Sequence, residues 1–560
     1  MNSDLPLIVQ SDRSILAEVD SLLYSQARDA LCRFAELEKS PEHIHTYRVT
    51  PLSLWNACAT GLTAEAVLEN LSRFSRYPLP PNLEHDIRDF MGRYGRVRLE
   101  AENGSLVLVS EDVALMAELL NHKQFKPLLV RTIAPGRLEV QKDMRGHVKQ
   151  ILIRLGYPVE DLAGYIDGAP LEIELLDQPP EPVFHLREYQ VEAARSFWAG
   201  SDGMGNSGVV VLPCGAGKTV VGMAAMARVR QHTLILTTSI TAVKQWQREL
   251  IDKTSLTVDD IGEYTGETKE LKPVTVSTYQ ILTYRPDQNG PFPHFSIFSR
   301  MNWGLIIYDE VHLLPAPVFR ITAEIQARRR LGLTATLVRE DGREEDVFSL
   351  IGPKRYDVPW KDLESQGWIA QAECIGVRLP MNEGQRMEYA LASQRSKFRL
   401  ASDNPAKLDI IRSLVQRHSN DSVLIIGQYL TQLHEIAENL DVPVITGKTP
   451  WAERERLYGL FRSGEMRCLV VSKVGNFAID LPDANVLIQT SGTFGSRQEE
   501  AQRLGRILRP KADGAIANFY SLVTRESKEE DFAMNRQLFL TEQGYRYSIV
   551  DASELGDGQS

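Results

Sequence analysis

The stretch "VLPCGAGKT", Val211 to Thr219, joins an apolar run to a helix-like segment through two glycines and a lysine. The valines before it predict a β-strand, and the "TVVGMAAMARV" that follows predicts a helix. A turn of this kind directs the free N–H groups and the positive end of the helix dipole at bound phosphate oxygens. The sequence therefore predicts a phosphate-binding loop at the carboxyl end of a buried strand.

The loop departs from the general pattern G-x-x-x-x-G-K-[ST], because Leu212 occupies the place of the first glycine. Its end is intact, so we expect Lys218 to reach the outer phosphates of a nucleoside triphosphate and the Thr219 hydroxyl to ligate Mg²⁺. A glycine-rich turn without a ligand is the weaker alternative. The predicted nucleotide-binding residues are Leu212, Pro213, Cys214, Gly215, Ala216, Gly217, Lys218 and Thr219.

A second motif, "LIIYDEVH", ends an apolar strand with Asp309 and Glu310. An acidic pair at a buried strand end needs a compensating positive charge. Metal-assisted hydrolysis fits this pair, with Asp309 holding Mg²⁺ and Glu310 orienting and deprotonating the attacking water.

A third motif, "QRLGRILRP", begins at Gln502 and places Arg506 and Arg509 three residues apart, hence on one helix face. Two guanidinium groups presented together stabilise the charge that develops on a γ-phosphate. The alternative is a basic helix face paired with "RQEE" just upstream. We include all three residues in the predicted catalytic set.

Strand-like and helix-like segments alternate twice after the Pro-rich stretch "LLDQPPEPVF", residues 175–184. The first series includes "TLILTTS" and "WGLIIYDE", and the second includes "SVLIIGQ" and "RCLVVSK". This alternation predicts an α/β fold with two tandem parallel-sheet domains. The predicted domains are an N-terminal α+β domain at 1–125, a small module plus linker at 126–184, and the sheet domains at 185–372 and 373–560.

In the N-terminal region, helical spacing predicts helices in "SILAEVDSLLYSQARDALCRFAEL" and in "TAEAVLENLSRFS", the latter capped by Thr63. "RVRLEAENGSLVLVS" predicts two strands around an Asn-Gly turn. Trp55, Tyr77, Tyr94 and nearby arginines Arg93, Arg96 and Arg98 are compatible with DNA contact, although ordinary core and surface roles are favoured.

Composition narrows the class of protein. The net charge of −11 over 560 residues argues against a uniformly basic nucleic-acid binder but leaves room for local basic patches. Five scattered cysteines without a C-x-x-C pair argue against a disulfide framework or a thiolate zinc site. We find neither a long apolar run nor the layout of a signal peptide, so we predict no membrane contact and a cytoplasmic location.

Taken together, the motifs resemble those of superfamily 2 helicases, and the resemblance implies two RecA-like domains that bind ATP and Mg²⁺. "LREYQ" looks like the element that reads adenine, which implies roles for Arg187 and Gln190. "GNFAIDLP" resembles the motif that places Asp480 near the ribose. The resemblance assigns coupling of the nucleotide to DNA to His312, Thr334, Ala335 and Thr336.

Within that superfamily, the DEVH box, "RLGRILRPK" and the triad Arg339, Glu340 and Asp341 favour the XPB family in its bacterial form. The family implies a 3′–5′ DNA helicase of DNA repair, with the triad acting in DNA opening. Its DNA would be single-stranded, duplex or forked, and cleavage would need a partner nuclease, since the N-terminal region has no nuclease-like acidic cluster. Ala478 departs from the family's usual glycine, which leaves the details of that DNA-contacting loop open.

Three other functions share part of this evidence. A duplex DNA translocase that does not separate strands would carry every motif above. A non-hydrolysing scaffold is opposed by the intact Lys218, Asp309 and Glu310. The motor subunit of a restriction system lacks support, because the chain shows no methyltransferase or nuclease signature.

Overall fold

The computed structural model describes most of the chain. The described residues are 5–31, 33–39, 43–176, 185–198, 207–213, 215–287, 292–315, 317–318, 322, 328–335, 344–358, 363–364, 366–368, 371–472, 484–491, 516–542 and 547–556. The chain divides into two compact units, the first of residues 1–36, 47–212 and 217–358 and the second of residues 37–46, 213–216 and 359–560. Among the helices described, none is long and apolar enough to cross a membrane.

The N-terminal region begins with a four-stranded sheet in the order β1-β2-β4-β3. Its strands are β1 Leu7–Val9, β2 Ser14–Glu18, β3 Glu36–Lys39 and β4 Ile44–Arg48. Helices Tyr24–Leu31, Pro51–Ala59, Ala64–Phe74 and Pro81–Arg93 accompany it. Thr63 caps the third of these helices by accepting a hydrogen bond from the amide of Ala66, as its sequence predicted.

A five-stranded sheet follows, in the order β7-β8-β6-β5-β9. Its strands are β5 Val97–Glu102, β6 Ser105–Val109, β7 Leu129–Ala134, β8 Arg137–Val140 and β9 Val159–Asp161. The predicted Asn-Gly hairpin is confirmed: Glu102 pairs with Ser105, and Asn103 and Gly104 both have positive φ. Helices Val113–Asn121 and Arg145–Arg154 and short turns at Lys126–Leu128 and Lys142–Met144 complete this module.

The first seven-stranded sheet is wholly parallel, in the order β12-β13-β11-β14-β15-β10-β16. Its strands are β10 Ser207–Val211, β11 Thr233–Thr237, β12 Ile261–Tyr264, β13 Val274–Thr278, β14 Leu305–Asp309, β15 Arg329–Thr334 and β16 Lys354–Asp357. The strands β10, β11 and β14 are almost continuously buried, as expected of a sheet covered on both faces.

Helices and turns connect these parallel strands. The longer helices are Glu188–Trp198, Lys218–Val229 and Ile240–Lys253. The shorter segments are Tyr279–Thr283, Pro293–Ser296, Ile297–Arg300, Val311–Leu313, Glu344–Asp346 and a π-helical turn at Val347–Ile351. The carboxyl ends of β10, β14 and β15 lie at one edge of the sheet, which gathers the three corresponding sequence motifs there.

The second seven-stranded sheet is also parallel, in the order β19-β20-β18-β21-β22-β17-β23. Its strands are β17 Ala372–Leu379, β18 Val423–Gly427, β19 Val444–Ile445, β20 Cys468–Ser472, β21 Val486–Gln489, β22 Ala517–Thr524 and β23 Tyr547–Asp551. Its helices are Glu383–Leu391, Gln394–Ser402, Ala406–Arg417, Leu430–Leu440, Trp451–Arg462, Lys528–Glu542 and Ala552–Gly556. The prediction of two tandem parallel-sheet domains is thus confirmed.

Two N-terminal expectations need correction. The predicted helix over "SILAEVDSLLY" is wrong at its start, where residues 14–18 form β2 and pair with β1. The predicted boundary at residue 125 falls inside the five-stranded sheet, because strands on both sides of it pair and Phe125 is buried in their common core. The sequence placed the boundary between the sheet domains after residue 372, whereas the compact units divide between Val358 and Pro359.

Candidate active site

The phosphate-loop motif forms a strand, a tight turn and a helix, as its sequence predicted. Gly217 has left-handed backbone angles (φ 78°, ψ 45°) at the N-cap of helix Lys218–Val229. A β-carbon on Gly217 would also lie 2.5 Å from Nε2 of Gln190. Both the backbone angles and this close contact require glycine at position 217. Leu212, in the place of the first motif glycine, is buried and donates its amide to the carbonyl of Thr334 at 2.9 Å.

The side chain of Gln190 lies against this loop and is 4% exposed. Its Oε1 accepts a hydrogen bond from the backbone amide of Arg187 at 3.0 Å. The guanidinium of Arg187 in turn donates to the hydroxyl of Tyr189 at 3.1 Å. The structure therefore brings the two predicted adenine-reading residues next to the phosphate loop, and it adds Tyr189, which the sequence argument missed.

Lys218 and the acidic pair converge at the carboxyl edge of the sheet. The Lys218 ammonium lies 3.6 Å from Oε1 of Glu310. Asp309 ends β14, and Glu310 follows it with a positive φ of 51°. Desolvation, and next the negative charge of Glu310, raise the pKa of Asp309 to about 6. A buried carboxylate with a second carboxylate beside it is stabilised in its charged form by a nearby cation.

Trp246 holds the Asp309 carboxylate in place, a role that was not predicted from the sequence. Its indole Nε1 donates to Oδ2 of Asp309 at 2.8 Å, while the amide of Glu310 donates to Oδ1 at 3.1 Å. The indole also packs over Gly222 of the phosphate-loop helix, where a β-carbon would lie 2.6 Å from the ring. One side chain thus links the acidic strand end to the helix that begins at Lys218.

His312 and Thr334 form a second connection at this edge. Nδ1 of the buried His312 lies 2.6 Å from the hydroxyl of Thr334, and 3.6 Å from Oε2 of Glu310. Thr334 ends β15, and Ala335 follows it as a buried residue. The "DEVH" and "TAT" motifs are therefore in direct contact, which the sequence resemblance implied as coupling.

The donor atoms present fit Mg²⁺ bound together with a triphosphate. Mg²⁺ takes few protein ligands and completes its shell with water and phosphate oxygens, so the Asp309 carboxylate, together with the Thr219 hydroxyl that the motif predicts, would be enough to hold it. A divalent cation would stabilise the charged form of Asp309, whose pKa is raised by burial and by the neighbouring Glu310. Within the described ranges, no three His, Cys, Asp or Glu side chains cluster to hold a metal by themselves.

Other predicted site residues lie outside the described part of the chain. These are Cys214, Thr336, the triad Arg339, Glu340 and Asp341, and the second-domain residues Asp480, Gln502, Arg506 and Arg509. Tyr77, one of the suggested N-terminal DNA contacts, is exposed, whereas others have local partners. Trp55, for example, is 3% exposed and donates to the carbonyl of Phe90, an ordinary core role.

Two parallel sheets, a phosphate-loop helix and an acidic strand end define the class: a phosphate-loop α/β protein with paired RecA-like domains. Three family models match the chain. One described as ERCC3/RAD25/XPB C-terminal helicase matches residues 363–559. One described as helicase conserved C-terminal domain matches residues 7–134, and one described as type III restriction enzyme, res subunit, matches residues 183–339.

Full-length relatives are similar over nearly the whole chain. A "DNA 3′-5′ helicase XPB" of Kineococcus radiotolerans is 54% identical over 99% of this chain and 98% of its own. The protein of the same name from Mycobacterium tuberculosis is 55% identical over 99% of both chains. The factor IIH helicase/translocase subunit XPB/SSL2 of Saccharomyces cerevisiae is 31% identical over 97% of this chain and 72% of its own. This chain belongs to the XPB family of DNA helicases.

Proposed function

We propose that the protein is an ATP-dependent 3′–5′ DNA helicase or translocase of DNA repair, which couples ATP hydrolysis between two RecA-like domains to the opening or remodelling of DNA. The observation that carries this proposal is the convergence of Lys218, Asp309 and Glu310 at the carboxyl edge of the first parallel sheet. Family membership supports ATP as the nucleotide that is hydrolysed and DNA as the nucleic acid along which the protein moves.

ATP binds with its phosphates against the loop of residues 212–219. The first-turn N–H groups of helix Lys218–Val229 lack intrahelical partners by the geometry of any helix and face the phosphate oxygens. Gln190 and Arg187 are placed beside the loop to contact adenine. Asp309 and Thr219 would hold Mg²⁺, which would supply positive charge to the phosphates.

Hydrolysis requires a water aligned with the γ-phosphate and a group that accepts its proton. Glu310 is the residue for this role, because its carboxylate lies beside the Lys218 ammonium that binds the outer phosphates. Trp246 fixes the orientation of the neighbouring Asp309 carboxylate through its indole N–H. In this proposal Arg506 and Arg509 of the second domain supply positive charge to the γ-phosphate, Gln502 adds neutral hydrogen bonds, and Asp480 contacts the ribose.

The hydrolytic site reaches the DNA through the contact between His312 and Thr334. His312 touches Glu310 on one side and the end of β15 on the other, so a change at the γ-phosphate alters the segment that follows Thr334. That segment continues through Ala335 and Thr336 to Arg339, Glu340 and Asp341, to which we assign DNA opening. Binding to DNA is mainly through phosphates, which makes it sensitive to salt and tolerant of sequence.

We propose that the two parallel-sheet domains, which divide between residues 358 and 359 rather than after residue 372, form the motor. The N-terminal region contributes to substrate choice, and a separate nuclease acts on the DNA that the motor opens.

Strand displacement tests the function directly. Forks with a single 3′ or a single 5′ tail are incubated with ATP, with Lys218→Ala as the inactive control. The proposal expects displacement on the 3′-tailed fork and ATP turnover that rises with DNA. Turnover and movement along duplex without displacement on either fork would select the translocase alternative, and turnover indifferent to DNA would contradict both.

A further inference from the structure

A polar cavity of about 90 Å³ lies between the five-stranded N-terminal module and the first parallel sheet. The volume is several times the ~10–15 Å³ that one water molecule needs, so the cavity has room for a small tetrahedral anion. Its polar lining includes Tyr94, Lys149, Asp161, Arg330, Ser349 and Arg355.

The cavity is separate from the nucleotide site. Ser207 and Arg330, which line it, are paired residues at the amino ends of β10 and β15. The phosphate loop follows the carboxyl end of β10, four residues beyond Ser207 at Val211, and strands rise about 3.3 Å per residue. The two sites therefore lie at opposite edges of the same sheet.

When Lys149 is protonated, positive charge exceeds negative charge around the cavity. The wall contains Lys149, Arg330 and Arg355 as cations and Glu160 and Asp161 as carboxylates. The Asp161 carboxylate is shared between two cations. It accepts hydrogen bonds from Lys149 at 2.9 Å and from Arg145 at 2.6 Å, so it does not neutralise Lys149 alone. Burial, and then the positive charges of Arg330 and Arg145, lower the pKa of Lys149 to about 7 against the attraction of Asp161.

Arg355 presents its charge to the cavity with part of its donor capacity unused. Its Nε donates to the carbonyl of Ser207 at 3.1 Å. Its side chain crosses Gly208 so closely that a β-carbon there would lie 2.4 Å from Cγ of Arg355, which fixes the path of the chain. Within the part of the chain that the structure describes, no carboxylate pairs with Arg355, and the fork of a guanidinium is suited to bidentate binding of phosphate.

We propose that this cavity binds a phosphate group, held by Arg355 and Lys149 and assisted by the hydroxyl of Tyr94. The group is either free inorganic phosphate or a phosphate of the DNA backbone, since both offer the same tetrahedral oxyanion. When bound, it joins the N-terminal module to the ATPase sheet, because Lys149 belongs to the module and Arg355 to β16.

The test compares thermal unfolding of the full chain in sodium phosphate and in sodium chloride at equal ionic strength and pH. A phosphate-specific rise in Tm is expected in the wild type and in Lys218→Ala, which removes the lysine of the nucleotide loop. Arg355→Gln should weaken the apparent affinity for phosphate at least tenfold, and Arg355→Lys should retain part of it. Arg96→Gln is the matched control, because Arg96 also donates Nε to a carbonyl, at 3.0 Å, but is exposed.

Three outcomes would overturn the proposal. These are no phosphate-specific rise in the wild type, a rise lost in Lys218→Ala but kept in Arg355→Gln, and a rise equal in all variants. The last outcome would mean an adventitious ion only. If Arg355→Gln unfolds on its own, the comparison of Arg355→Lys with the wild type gives the same reading.

Short DNA duplexes distinguish the two sources of phosphate. If the occupant is a backbone phosphate, DNA abolishes the phosphate-specific rise in Tm and Arg355→Gln weakens DNA binding. If it is free phosphate, the rise persists with DNA bound and DNA affinity is unchanged. If the wild type shows no helicase activity, the proposed function is contradicted. The proposed phosphate site is unaffected by that result, because the thermal unfolding assay requires no ATP turnover.

Discussion

Replacing Trp246 with phenylalanine removes one hydrogen bond from the hydrolytic site while keeping an aromatic ring over Gly222. In the structure the indole Nε1 donates to Oδ2 of Asp309 at 2.8 Å. A hydrogen bond to a charged group contributes about 1.5–3 kcal/mol, and each 1.36 kcal/mol corresponds to a factor of ten in rate. We therefore expect Trp246→Phe to lower kcat/KM for ATP by about 10- to 100-fold, a range typical of residues that orient a metal ligand.

The assay is steady-state ATP hydrolysis with saturating DNA over a titration of Mg²⁺. Trp246→Phe should need more Mg²⁺ for half-maximal rate, because Asp309 is no longer oriented. Trp303→Phe is the matched control: Trp303 is buried in the same domain and donates Nε1 to the carbonyl of Ile297 at 2.7 Å, away from the acidic pair. It should lose stability but keep the Mg²⁺ dependence. A folded Trp246→Phe with the wild-type rate at every Mg²⁺ concentration would refute this role.

Three further predictions concern the hydrolytic groups and the second sheet. Glu310→Gln should bind ATP and fail to turn it over, measured by retained nucleotide; undiminished steady-state hydrolysis would remove Glu310 from its role. Arg506→Ala should reduce turnover by about 10³–10⁵-fold, as for other arginine fingers, and a loss below tenfold would contradict two-domain catalysis. Lys407→Met should cost about 3–5 kcal/mol of stability in chemical denaturation, because the fully buried Lys407 pairs with Glu529 at 2.8 Å. The double variant with Glu529→Leu should recover most of that loss, and equal stability of wild type and Lys407→Met would show that the pair is not stabilising.

The sequence predicted most of the parallel sheets because a strand buried on both faces is a short apolar run with a clear end. β10, β14 and β18 lie where "GVVVL", "LIIYD" and "VLIIG" stand. The phosphate loop and the acidic pair were found for the same reason, since each directly follows such a run. Local order in the chain is enough to place these residues at one edge of the sheet.

The residues that were missed act through contacts distant in the chain. Trp246 occupies an ordinary apolar position of an amphipathic helix, and nothing near it in the sequence indicates a contact with Asp309. The segment of β2 was predicted as a helix because its apolar spacing continues into the helix Tyr24–Leu31. It forms a strand because it pairs with β1, a contact that its own sequence does not indicate. The predicted boundary at residue 125 was wrong because strands within residues 97–109 pair with strands within residues 129–161 in one sheet. Pairing between strands so far apart in the chain cannot be read from the local sequence.

The measurement that bears most directly on the motor is ATP turnover and strand displacement recorded together for the wild type and Lys218→Ala on one forked DNA. Circular dichroism and DNA binding verify that the variant is folded and engaged. Both activities of Lys218→Ala should fall to background while its DNA affinity is unchanged. A folded, DNA-bound Lys218→Ala that hydrolyses ATP as fast as the wild type would contradict it.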